Sequence, residues 1–330
     1  MMMLKKIIFF PLAIFFNLIS FFRNKLYDWG IIKSYSFNVP IVIVGNLAVG
    51  GTGKTPMVEF LIENFSKQYK IGVLSRGYKR KTSGFILASK NDNAKTIGDE
   101  PFQYFLKFSN IKVAVDINRK RGIENLVSQG CNLILLDDAF QHRKIIPSYS
   151  VLLTEYNNLY CNDYLIPTGS LRESKYGSKR ANCVIVTKCP KDLRDKEKIK
   201  IKRMLRLKKH QKLFFSSIIY PVYLFSKKSK NKISEFKEKD LNVVTGIANP
   251  SHFINFLKNE GLNFNHFKYP DHHNYTKTDI KKFTNKDVIT TEKDFSKLIE
   301  YNIDNLYYLQ IKTSLEKSGE FVDSIKQIIN

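Results

Sequence analysis

The sequence predicts an α/β protein built on a mostly parallel sheet with helices on both faces, and three features carry that expectation. Short apolar runs rich in β-branched residues recur from Val39 onward, stretches with helical spacing lie between them, and the runs are continuous rather than alternating. Strands buried on both faces read this way because helical crossovers cover each side of the sheet. With 330 residues and 43% hydrophobic composition the chain can bury a sizeable core, which excludes a disordered or low-complexity protein. Its four cysteines, Cys131, Cys161, Cys183 and Cys189, form no CxxC pair, so neither a disulfide scaffold nor a zinc finger is expected.

Residues 5–25 read KKIIFFPLAIFFNLISFFRNK, an apolar stretch from Ile7 to Phe22 between Lys5, Lys6, Arg23 and Lys25. Interrupted by Pro11, Asn17 and Ser20, it falls short of the roughly 20 apolar residues of a spanning helix. Phe21-Phe22-Arg23 stands where a secretory signal would have a small-residue cleavage site. A buried helix and a monotopic helix lying at a membrane interface both remain, and the phenylalanines with cationic flanks favour the second. Residues 1–28 are therefore expected to form a membrane-associated helix, with the rest of the chain cytoplasmic.

Strands are expected at 41–45, 71–75, 112–116, 132–137, 150–154 and 183–188, with helices at 54–69, 118–129 and 191–206. The polar tract SKKSKNKISEFKEKD marks a boundary near 225, giving a larger domain over 29–224 and a smaller α/β domain over 225–330. The smaller domain has strands expected near 241–245, 287–291 and 306–311. The net charge of +24 suits work beside a polyanion, either nucleic acid or an anionic membrane, or a basic drift over the whole surface.

The most informative stretch is IVIVGNLAVGGTGKTPMVEFL, residues 41–61. A strand runs into Ala48, Val49, Gly50, Gly51, Thr52, Gly53, Lys54 and Thr55, and then a helix. Glycines let successive backbone N–H groups turn toward phosphates, and the helix N-terminus adds a positive field. Lys54 would reach the β- and γ-phosphates and the Thr55 hydroxyl would hold Mg²⁺. Ala48 stands where the common pattern has glycine, so the loop is a variant. The strand ending in Asp137 and Asp138 looks like the acidic partner of such a loop. Together they point to a P-loop nucleotide-binding fold that takes ATP or GTP with Mg²⁺.

Further islands follow in order: SRGY at 75–78, GDEP at 98–101, DDAFQH at 137–142, PTGSLRE at 167–173, PDHH at 270–273 and TEKD at 291–294. With VGNLAVGGTGKTP at 44–56 they closely resemble the tetraacyldisaccharide 4′-kinases, over nearly the whole chain. That resemblance implies transfer of the ATP γ-phosphoryl group to the 4′-hydroxyl of a lipid disaccharide 1-phosphate in lipid A biosynthesis. It also implies peripheral attachment to the cytoplasmic face of the inner membrane of a Gram-negative bacterium.

The resemblance assigns Asp99 as the base for the 4′-hydroxyl, with His272 as its partner, although Asp99-Glu100-Pro101 also makes a good helix opening and His273 is a neighbouring alternative. Asp137, Asp138 and Glu173 match acidic positions around Mg²⁺. Gln141 and His142 are expected to line the sugar site. Arg76 and Arg119 lie beyond strand ends, with Arg119 opening a helix where it holds phosphate or simply faces solvent. TEKD reads as a helix opening capped by Thr291, with no chemistry. The chain departs from the usual pattern at Ala139, which matters if that position needs positive φ, and at Thr168 and Ser170 near the sugar.

Two rival classes are weighed against this. Another membrane-recruited P-loop ATPase or GTPase is the first, but Thr187-Lys188-Cys189-Pro190 lacks the aspartate of a guanine reader and Val49 replaces the lysine of a partitioning ATPase. A non-enzymatic nucleic-acid or membrane adaptor using the positive charge is the second. The aromatic residues lie within apolar runs rather than interleaved with basic ones, so no nucleic-acid partner is expected.

Overall fold

The computed structural model describes residues 2–329, and the side chains of residues 1–10, 16 and 330 lie outside the described set. The basic flank at Lys5 and Lys6 falls there. The helix Met2–Asp28 leaves Leu12, Ile14, Phe15, Leu18, Ile19, Phe21 and Phe22 exposed, with Ala13 and Ser20, two turns apart, buried. Its C-terminal end is tied down by Arg143, which donates to Asn24 O at 2.6 Å and pairs with Asp28 at 2.8 Å. Among the described residues no helix is long and apolar enough to cross a membrane.

The chain forms two compact units, and their boundaries differ from those read in the sequence. The first comprises residues 1–76, 110–218 and 313–330, and the second 77–109 and 219–312. Instead of one crossing near 225, the chain leaves the first unit twice and returns twice. Ile233 and Phe236, inside the polar tract read as a boundary, are about 1% exposed and belong to the second unit's core. A few apolar anchors among lysines do not lower the polarity of a segment enough to be seen.

In the first unit the strands lie in the order Lys312–Leu315, Lys212–Ile219, Cys183–Thr187, Tyr149–Glu155, Ile41–Asn46, Leu133–Asp137, Ile71–Ser75 and Lys112–Val115. The pairings from Lys212–Ile219 to Lys112–Val115 are all parallel, as expected of continuous apolar strands. Every residue of Ile41–Asn46, Ile71–Ser75, Leu133–Asp137 and Cys183–Thr187 is buried. Ile41–Asn46 sits at the centre, its Val44 opposite Asp137, so its C-terminal loop emerges beside the acidic strand end. That is where an open parallel sheet places its ligands.

The helix Lys54–Phe65 buries Met57, Val58, Leu61, Ile62 and Phe65, a stripe at three- and four-residue spacing. It stops four residues before the expected Tyr69, where polar Ser66, Lys67 and Gln68 follow. Helices over Arg119–Ser128 and Asp195–Leu205 answer the other two expectations.

The second unit holds a six-stranded sheet, ordered Lys230–Lys232, Tyr223–Phe225, Leu306–Leu309, Asp287–Thr291, Leu241–Thr245 and Phe264–Lys268. The last four strands are parallel and the first two are antiparallel additions. The helices Asp99–Lys107 and Glu292–Leu298 pack together in this unit.

Candidate functional site

The first unit presents the phosphate loop. Gly50 and Gly53 have φ of +119° and +85°, a region glycine enters without strain, and Gly53 is the N-cap of the following helix. A Cβ on Gly50 or Gly51 would meet nothing within 4 Å, so the loop is not filled by side chains. Thr52 is held from both sides. Its Oγ1 accepts from Asn46 Nδ2 at 2.8 Å, and its carbonyl accepts from Thr187 Oγ1 at 2.9 Å. The cradle is narrower than the sequence suggests. The Val49 N–H donates to Ser170 O at 2.8 Å and buried Ala48 bridges Leu171, which leaves Gly50–Thr55 to face a ligand. Thr55 is half-buried in the first helical turn.

Asp138 stands over this loop. Both its oxygens accept from Arg172 at 3.0 Å, and Lys54 Nζ is 3.7 Å away. Burial alone would raise its pKa, but Lys54 and Arg172 hold it below the ordinary carboxylate range. Asp138 has φ +48°, so the left-handed residue of DDAFQH is the aspartate and Ala139 is accommodated without strain. Asp137 is fully buried at the strand end. A Cβ on Gly45 would lie 2.6 Å from Phe140 Cβ, so the DDAFQH turn packs on bare backbone at the end of the central strand.

Glu173 and Gln141 have other partners than those expected. Glu173 is fully buried, and its two oxygens each accept from Arg180 at 2.9 Å. Gln141 Nε2 donates to Glu173 Oε1 at 3.1 Å and to Asn46 O at 2.7 Å. Glu173 thus ties Arg180 and Gln141 together, and Gln141 braces the end of the central strand. Thr168 donates to Leu165 O, and Ser170 donates to Asp163, so these two hydroxyls shape their own loop.

Arg119 opens its helix as expected, but it is buried rather than solvated and donates to Asp116 O at 3.0 Å and Asp137 O at 3.2 Å. Burial, with Arg76 nearby, pushes its pKa down to about 10 against the opposing pull of Asp137 and Asp138. His142 is pushed down to about 4 by burial and by the positive charges of Arg119, Lys144, Arg76 and Arg23. These side chains together make a concentrated positive field that an anion would relieve.

The second unit carries the GDEP aspartate. Asp99 is the first residue of its helix; Gly98, at φ +95°, is the N-cap, and no side chain caps this helix. The Asp99 carboxylate is turned instead to His272, whose Nδ1 lies 2.9 Å from Oδ2, while Lys297 Nζ lies 3.0 Å from the same oxygen. Burial would raise the Asp99 pKa, but His272, Lys297 and Lys293 hold it below the usual value. His273 is engaged elsewhere, 3.1 Å from Asp279 and stacked on Tyr269. Two islands meet here: a Cβ on Gly98 would lie 3.2 Å from Gly77 Cα and Tyr78 O. Thr291 caps the TEKD helix as expected, accepting from the Asp294 N–H at 3.1 Å.

Asn46, Arg172, Thr187, Lys293 and Lys297 escaped the sequence reading. Asn46 had a signal, a polar residue ending a buried apolar strand, and Arg172 stands in an island whose acidic neighbour drew the attention. Among the described residues no three His, Cys, Asp or Glu side chains form a ready-made metal cage.

The model of the tetraacyldisaccharide-1-P 4′-kinase family matches residues 5–330. The chain belongs to this family. It is a kinase of lipid A biosynthesis. It is 47% identical to the tetraacyldisaccharide 4′-kinase of Flavobacterium johnsoniae, covering 100% of this chain and 98% of that one. To the Flavobacterium psychrophilum enzyme of the same name it is 49% identical over 97% and 95% of the two chains. A solved structure of LpxK from Aquifex aeolicus, described as an "apo" form in complex with ATP, superposes with a TM-score of 0.83 at 27% identity, covering 99% of this kinase and 100% of that chain.

Proposed function

We propose that the chain transfers the γ-phosphoryl group of ATP to the 4′-hydroxyl of a tetraacyldisaccharide 1-phosphate, producing the bisphosphate. The observation that carries this reading is the loop Gly50–Thr55, open in front of its glycines, with Lys54 opening the helix 3.7 Å from Asp138. Phosphoryl transfer asks little covalent chemistry of the protein and much positioning and counter-charge. The backbone N–H groups of 50–55 bind the phosphates, and Lys54 leaves its distant ion pair with Asp138 to neutralise the transferring group.

Mg²⁺ fits the donor set of the Thr55 hydroxyl with Asp137 and Asp138, all hard oxygens, and it needs few protein ligands because phosphates and waters complete its shell. When bound it would neutralise charge on the β- and γ-phosphate oxygens.

Asp99 orients the secondary alcohol and accepts its proton as the new O–P bond forms, and His272 fixes the carboxylate. The cations around His142, with Arg76 and Arg119, suit the phosphate already carried by the substrate. The exposed apolar face of the N-terminal helix, together with the basic charge, supports peripheral attachment to the cytoplasmic face of an anionic inner membrane. Acyl chains remain in lipid while the sugar reaches ATP.

Incubating the purified chain with labelled ATP and a lipid disaccharide 1-phosphate tests the proposal. A labelled bisphosphate supports it; ATP hydrolysis with no labelled lipid returns the reading to another P-loop ATPase.

A further inference from the structure

The helix Glu292–Leu298 bears two lysines one turn apart, and both reach the Asp99–His272 pair. Lys293 Nζ lies 3.1 Å from His272 Nε2 and 3.3 Å from Asp271 Oδ1. Lys297, with a side chain only 7% exposed, lies 3.0 Å from Asp99 Oδ2 and donates to His273 O at 3.2 Å. The helix itself is locked in place. Asp294, fully buried beside its capping Thr291, accepts from the Gly246 N–H at 2.8 Å, and Gly246 O accepts from the His272 N–H at 3.1 Å. His272 is thereby held at φ +58°, a conformation a non-glycine residue keeps only when its surroundings impose it.

An ammonium group has donors and no acceptor. If Lys293 donates to Nε2, that nitrogen must carry the lone pair, the imidazole proton must sit on Nδ1, and Nδ1–H must point at Asp99. Both described contacts to the carboxylate, from His272 and Lys297, fall on Oδ2. We propose that Lys293 and Lys297 are positioning residues of the phosphoryl-transfer site: Lys293 fixes His272 as the Nδ1–H tautomer, and Lys297 with His272 holds Asp99 Oδ2 so that Oδ1 is presented to the acceptor hydroxyl. This rests on the reading of Asp99 as the base. A second proton on His272 would place an N–H against the Lys293 ammonium and turn Asp99 into the partner of an imidazolium, a poorer proton acceptor. Among the described residues, Asp99, Asp271, Lys293 and Lys297 are the charged groups around the ring, and Tyr78 meets it edge-on at 5.3 Å.

The test compares Lys293→Met, Lys293→Arg, Lys297→Met and Asp99→Asn in the full-length chain, each checked for retained melting behaviour. For Lys293→Met, kcat at pH 8.5 is expected within about threefold of the parent and at pH 6 at least tenfold below it, with KM for ATP unchanged. Lys293→Arg, another donor-only cation, restores the parent profile. Lys297→Met lowers kcat at least tenfold at every pH with the same KM for ATP. In histidine-labelled parent protein, long-range proton–nitrogen spectra show His272 protonated on Nδ1 at pH 8. A Lys293→Met profile parallel to the parent, full kcat in Lys297→Met, or a parent His272 carrying its proton on Nε2 overturns the inference. Asp99→Asn separates the two levels: if it is inactive while the lysine variants behave as the parent, only this inference fails, and if it keeps full kcat the base assignment fails first.

Discussion

Arg172 grips Asp138 with two nitrogens at 3.0 Å, while Lys54, the cation expected to meet the transferring phosphate, stands 3.7 Å from the same carboxylate. Asp138 is thus compensated by Arg172 whether or not Lys54 stays.

It follows that Lys54→Ala separates function from folding. Turnover is expected to fall by about a thousandfold or more, the scale of losing a charge aimed at a transition state. Thermal unfolding is expected to be nearly unchanged, because Arg172 remains on Asp138. Near-normal phosphorylation of lipid by this variant would remove the phosphate-loop assignment.

His142 gives the fold a pH dependence of definite sign. Its folded pKa is about 4, below the ordinary value of 6.5, so between these limits the unfolded chain binds more protons than the native one. The contribution of neutral His142 is present in full above about 6.5 and is lost as pH falls toward 4. Between pH 7.5 and 5.5 this amounts to about 1 kcal/mol. His142→Gln should flatten that part of the urea-midpoint profile; a variant and parent with parallel profiles would contradict it.

Substitution of the N-terminal helix tests attachment without disturbing its packing. Phe15 and Phe22 are exposed, whereas Ala13 and Ser20 are buried. The double variant Phe15→Glu/Phe22→Glu should partition far less onto anionic vesicles and show a higher KM for lipid, with kcat on a soluble, detergent-dispersed substrate retained. Unchanged sedimentation with vesicles would refute the interfacial role.

Gly98→Ala is expected to cost about 2 kcal/mol, since φ +95° is strained for alanine and its Cβ would crowd Gly77 Cα and Tyr78 O at 3.2 Å. Because Asp99 follows directly, kcat should fall further than the stability loss explains. Denaturant unfolding and steady-state kinetics on the same preparation check both; an equally stable variant would show that the two islands can separate.

The parallel architecture was legible because each buried strand of the first unit is a continuous apolar run, and the phosphate loop because strand, glycines and Lys54-Thr55 coincide. Asp99 and His272 were legible only through their islands, since a carboxylate before Glu-Pro reads equally well as a cap. The discontinuous unit was hidden: nothing local to Arg76 or Ser109 announces that the intervening residues join a unit otherwise formed after 218. Lys293 was hidden for a related reason. Its motif is explained locally by the Thr291 cap, and its contact with His272 depends on a loop fixed through Gly246. The partners of Glu173 were not legible, because Arg180, seven residues on, lies outside its island and is brought onto both of its oxygens only by the fold.

The return of the chain to its first unit has a consequence for biosynthesis. The strand Lys312–Leu315 completes the edge beside Lys212–Ile219, and the terminal helix Ser318–Ile329 inserts Phe321 and Ile325 into the interior, with Ser324 bonded to Tyr149. A ribosome-bound nascent chain therefore cannot finish its first unit until residues 312–329, made after the rest of the second unit, have emerged. The second unit, whose last strand emerges earlier, is free to mature first, and loss of the helix Ser318–Ile329 would strike the unit whose first strands are made earliest.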